Sequence, residues 1–208
     1  MKSRSVRMAV AVLALTLAAC TGSLLQSSAE APETYRLEGR ALADRGSRLP
    51  LALAVSRPRA PAALDTDRIA VVQTDSRFDY FAGVRWSEPA PQMLQQLLAG
   101  AFTADGRFAT VISTPSRVPA DLLLDVELRR YEAVYTADGA APTVRVEMQV
   151  TLVSTRPPRR VASFPAAGSA TAAENRRAAV VASFEAATAQ AVEAAVNGVR
   201  AATAPDAH

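Results

Sequence analysis

Lysine, histidine and cysteine each occur once in this 208-residue chain, as Lys2, His208 and Cys20. Lys2 stands at the start, which excludes lysine-based catalysis from any domain that follows. His208 ends a run of Ala, Thr, Pro and Asp with the composition of a frayed terminus. A histidine general base and a histidine metal ligand are therefore both missing, and most hydrolase triads and zinc sites go with them. One thiol cannot form an internal disulfide. Ser56, Ser113 and Ser116 fall in no nucleophile-elbow pattern, and no glycine-rich phosphate loop is present. The sequence thus offers neither a catalytic constellation nor a cofactor or metal motif.

Excess charge is also scarce. The net +3 comes from 23 basic and 20 acidic residues, and Lys2, Arg4 and Arg7 supply the whole surplus. Beyond them the charges balance, which argues against a nucleic-acid footprint. Those three cations precede an apolar run, Met8 to Ala19, and then small residues, which is the layout of a secretory signal. The run is short of the roughly 20 residues a spanning helix needs. Residues 1–19 read as a signal peptide, and 20–33 as a cysteine with a polar tether free of periodicity.

The remainder, 34–203, reads as one domain. Alternation predicts strands at Thr34 to Gly39, Leu51 to Val55, Arg68 to Gln73, Phe108 to Ser113, Asp121 to Tyr135, Thr143 to Ser154 and Arg159 to Phe164. "FDYFAGVRW" suggests a tight hairpin with Gly83 at its turn. Met93, Leu94, Leu97, Leu98, Ala101 and Phe102 mark one face of a helix that Ser87 can cap, that Pro89 helps to start, and that "ADG" ends. A second helix, rich in alanine, carries a stripe from Val180 to Val199. The expectation is an α+β fold, a mainly antiparallel sheet packed by two principal helices.

Asp65, Asp67, Asp75 and Asp79 invite a metal reading, but their spacing fits no calcium loop and turn roles account for them. Asp125 and Glu127 share one side of a strand, as a solvated face requires. "RPPRR" (Arg156 to Arg160) is the densest charge and could meet headgroups or phosphates, although a solvated turn has the same composition. Tyr80, Phe81 and Trp86 could stack on a ligand or partner, or alternate between core and surface.

Leu17, Ala18, Ala19 and Cys20 resemble a bacterial lipobox, in which the cysteine becomes the lipidated first residue. Thr21 rather than aspartate after it favours, by that resemblance, the outer membrane. "LDTDRIAV" (Leu64 to Val71) and "FDYFAGVRWSEPAPQMLQQLL" (Phe78 to Leu98) resemble the PqiC-like auxiliary lipoproteins of lipid-transporting ABC systems, which accompany mammalian-cell-entry (MCE) domain proteins. Phe81 departs from the tyrosine expected there. The resemblance implies a non-catalytic, periplasm-facing lipoprotein on the outer membrane, anchored through Cys20, that docks an MCE partner and helps lipid pass between membranes. Tyr80, Phe81, Arg85 and Trp86 would then belong to a surface for that partner or for further copies of the chain. A lipoprotein assisting outer-membrane assembly or activating a cell-wall synthase is the competing expectation.

Overall fold

The computed structural model describes residues 31–39, 48–137 and 139–204. The signal segment, the lipobox with Cys20 and most of the tether lie outside the described residues. A compact unit starts at Pro32, and the buried core among the described residues runs from Leu37 to Val199.

Two long strands organise this unit, β6 (Leu122–Val134) and β7 (Thr143–Thr155). Val144, Val146, Met148, Val150 and Leu152 are buried on one face of β7, while Arg145 is exposed and Glu147, Gln149 and Thr151 are half-buried between them. Period two with one apolar side is what a sheet covered on a single face demands. β8 (Pro158–Thr171) continues the antiparallel run beside β7.

The other edge of β6 is shared. β2 (Leu49–Val55) lies along its start, Leu53 to Val55 beside Leu122 to Leu124, and β3 (Arg68–Val72) along its end, Ala70 to Val72 beside Glu132 to Val134. Both run parallel to β6. β5 (Phe108–Ser113) flanks β2 in parallel, β4 (Phe78–Trp86) pairs antiparallel with β3, and β1 (Glu33–Tyr35) adds in parallel to β4.

Among the described residues the domain is α+β with two helices, as expected, but the sheet is mixed rather than mainly antiparallel. Among the described residues, four of its seven strand pairings are parallel. Alternation records which face of a strand is buried and carries no information on the direction of its neighbour. Direction is set by the connections, here α1 (Ala90–Asp105), which returns the chain so that β5 lies parallel to β2.

Three local expectations also change. "FDYFAGVRW" is one strand. Between the pairs Ala70–Tyr80 and Arg68–Arg85, four β4 residues oppose one of β3, a wide bulge in which Gly83 takes φ 71°. The hairpin turn lies earlier, at Gln73 to Arg77, with Ser76 at φ 63°. The N-cap of α1 is Pro89 rather than Ser87, and the Ala90 N–H donates to the Thr66 carbonyl at 3.0 Å, so backbone replaces the side-chain cap. Its C-terminal end meets expectation, with Gly106 left-handed at φ 69°. β8 runs seven residues past Phe164 because "PAAGSAT", loop-like in composition, is held by β7 and by α2 (Arg177–Ala202).

α2 is long and apolar enough to cross a membrane by length and composition, yet ten of its residues, Val180 and Phe184 to Val199 among them, are buried in the domain. It approaches β8 so closely that a Cβ at Gly168 would fall on the Ala187 carbonyl and 2.8 Å from Gln190 Cβ. Gly168→Ala is therefore expected to cost about 1–3 kcal/mol through overpacking, read as a lower midpoint in urea with unchanged slope. The free edge of β8 is guarded. Pro165 has no N–H to offer, and the Ser169 N–H donates to Gln190 Oε1 at 3.0 Å, so two edge positions that could recruit a foreign strand are closed.

The helices are joined at their C-terminal ends. Asp105, 1% exposed, accepts a hydrogen bond from the Arg200 guanidinium. Arg107 donates to the Thr203 hydroxyl (3.0 Å) and carbonyl (2.7 Å). Arg107 thereby satisfies a carbonyl left over at the end of α2.

Candidate partner-binding surface

Strand alternation and register distribute the four β4 residues. Arg85 pairs with Arg68 and Tyr80 with Ala70, so Tyr80 and Arg85 share the face turned away from the helices. Trp86 takes the opposite face. It is 1% exposed and lies against Phe184 of α2 (5.1 Å between centroids, 77°) and Tyr131 of β6 (5.9 Å). Its backbone N–H donates to Asp67 (2.7 Å), while the indole Nε1 has no partner. Burial pushes the Tyr131 hydroxyl well above the usual phenol range, the hydrogen bond from Thr188 opposing this only in part. Trp86 is thus a core residue holding β4 against the helix layer. Phe81, in the bulge, is half-buried and packs on the core.

What remains outward is a small aromatic and cationic group. The Arg68 guanidinium sits 3.6 Å above the centre of the Tyr80 ring, Phe78 meets that ring edge-on at 5.4 Å, and the Tyr80 hydroxyl donates to the Ala63 carbonyl at 3.1 Å. Phe78 is 40% exposed. Arg85 approaches Asp67 (3.8 Å) and Thr34 Oγ1 (3.4 Å), contacts long enough to leave it adaptable. An aromatic and a guanidinium held in register form the sort of pair that anchors protein interfaces. Arg68 and Phe78 were not singled out from sequence, although Phe78 and Tyr80, two apart in a strand, signal a shared face.

The carboxylates behave as solvated or structural groups. Asp125 pairs with Arg59 (3.0 Å) and Glu127 with Arg129 (3.4 Å). Asp65 is held below the usual carboxylate range by the Arg57 guanidinium, and Asp75 and Thr66 accept turn N–H groups. Burial raises Glu132, against the pull of Arg130. Among the described residues no group of His, Cys, Asp and Glu could hold a metal, and a groove of about 160 Å³ between the helices is lined by Leu97, Ala101, Thr188 and Val192 with Glu185 and Glu193.

The model of the ABC-type transport auxiliary lipoprotein component matches residues 35–196, which include every element from β2 to most of α2. The chain belongs to this family. A comparison with curated proteins finds no match. Among solved structures, a Xanthomonas campestris protein of the DUF330 family is similar at 26% identity, TM-score 0.73, over 81% of this chain and 95% of that one. A hypothetical protein from Chlamydia trachomatis, at 9% identity and TM-score 0.50 over 73% and 96%, shares the fold. For this auxiliary lipoprotein, membership supplies a membrane-attached component and a transporter as its partner.

Proposed function

We propose that this auxiliary lipoprotein is anchored in the outer membrane through a lipid on Cys20, faces the periplasm, and serves without catalysis in an MCE and ABC-type system that moves lipid between membranes. The observation that carries the reading is the family match across residues 35–196, joined to a described structure whose outward features are contacts rather than reactive groups. The domain presents Tyr80 and Arg85 to the MCE protein or to a neighbouring copy, with Phe81 and Trp86 fixing the strand from beneath.

The test is recovery of partners from solubilised envelopes with mass spectrometry, reading the acyl modification of Cys20 in the same digest. An MCE protein is expected. Tyr80→Ala combined with Arg85→Ala should lower its recovery roughly tenfold or more, as loss of interface anchors does, while the domain stays folded with its thermal midpoint lowered by only several degrees for the lost Arg68, Phe78 and Ala63 contacts. Recovery of a cell-wall synthase or an outer-membrane barrel with no MCE protein would overturn the proposal in favour of an envelope-assembly role.

A further inference from the structure

Two segments far apart in sequence meet at the end of the sheet where β6 begins. The Thr155 N–H donates to the Asp121 carbonyl (2.9 Å) and its hydroxyl to the Ala120 carbonyl (2.5 Å), fastening the β7–β8 turn to the loop before β6. The turn carries Arg156, the first residues of β8 carry Arg159 and Arg160, which as neighbours in a strand lean to opposite faces of the sheet end, and the loop carries Arg117, all four exposed. None of the four forms an ion pair with a described carboxylate. The only acidic side chain in segments 113–121 and 154–161 is Asp121, and it accepts the Ala52 N–H (2.8 Å). Beside Arg117 stands Val118, 54% exposed, between Pro115 and Pro119.

We propose that this arginine-rich end is a docking surface for anionic lipid headgroups, with Val118 entering the interface among them. Arginine forks match phosphate oxygens bidentately, and uncompensated cations gather headgroups without first breaking internal pairs. An exposed branched apolar residue among prolines and arginines suits the boundary between headgroups and acyl chains. The geometry allows the contact from an anchored chain. β1 enters opposite Val84, in the half of the sheet where Ala70 meets Glu132, and about ten strand residues, roughly 30 Å, separate that level from Leu122. Twelve residues lie between Cys20 and Glu33, and they can reach about 40 Å. The site's position at a bilayer rests on the lipoprotein reading, whereas its headgroup affinity does not.

The test uses the chain from Pro32 onward, which holds every core residue described, in sedimentation with vesicles of phosphatidylcholine alone or mixed with phosphatidylglycerol. Binding is expected only to the mixed vesicles, and it should vanish at about 1 M salt, where the screening length falls to about 3 Å. Each arginine changed to glutamine should weaken binding roughly fivefold, and the quadruple variant by several hundredfold. All four side chains are exposed and form no ion pair among the described residues, so the variant's thermal midpoint should stay close to the parent's. Val118→Ser should weaken binding a few-fold. Equal binding to both vesicles, or a folded quadruple variant that binds as the parent does, overturns the proposal. So does absence of vesicle binding, and loss of an acidic transport partner from the quadruple variant would then assign the end to a protein. Failure of Cys20 acylation would instead release the full chain from membranes while leaving vesicle binding by the Pro32 chain intact.

Discussion

Replacing Asp105 by alanine lowers the stability of the domain by about 3–5 kcal/mol, the usual consequence of deleting one member of a buried ion pair. The carboxylate is 1% exposed and the Arg200 side chain only 19%. The guanidinium therefore loses its carboxylate where water reaches it poorly. For a domain of this size the thermal midpoint should fall on the order of 10 °C. The diagnostic control is Asp105→Ala combined with Arg200→Met. Removing both charges should restore much of the loss, because an apolar pair needs no counter-charge. If the double variant is as unstable as the sum of the singles, the pair is not the cause of the loss.

Trp86→Ala is expected to be equally severe, about 3–5 kcal/mol for a large buried aromatic. The indole joins three elements, β4 by its backbone, β6 through Tyr131 and α2 through Phe184, and the Tyr131 and Phe184 rings are themselves 5.1 Å apart. Its removal opens a cavity that this cluster cannot close without moving a helix. Urea denaturation measures the loss directly. Trp86→Phe, which keeps a ring and discards the unpartnered Nε1, should cost far less. The result bears on function as well. Partner loss in Trp86→Ala would report unfolding, whereas the same loss in Tyr80→Ala with Arg85→Ala would report the surface. A Trp86→Ala domain as stable as the parent would contradict the packing described here.

The two helices were legible because each must bury one stripe, and a stripe at period 3.6 is written in the order of residues. Val180, Phe184, Ala187, Ala191 and Val199 all lie in the core as their spacing requires. β6 and β7 were legible for the matching reason at period two. β8 was cut short, since Pro165 and Gly168 are poor strand formers in isolation and are acceptable only at a guarded edge under a closely packed helix. The burial of the candidate surface residues was not legible. Sequence pointed to β4, but Trp86 and Arg85 adjoin in sequence and face opposite ways. Which of the two meets solvent depends on the side that α2 covers.

Composition and local order alone determined the absence of histidine, lysine and thiol chemistry within the domain, the balance of its charges, the α+β class and the number of principal helices, because each follows from which residues exist and how they repeat along the chain. Strand direction, the bulge at Gly83, the burial of Trp86, the Asp105–Arg200 pair and the fastening of Thr155, before "RPPRR", to the loop that follows Arg117 were decided only by tertiary structure. Each depends on contacts between residues distant in sequence, which the connections bring together and no local period encodes.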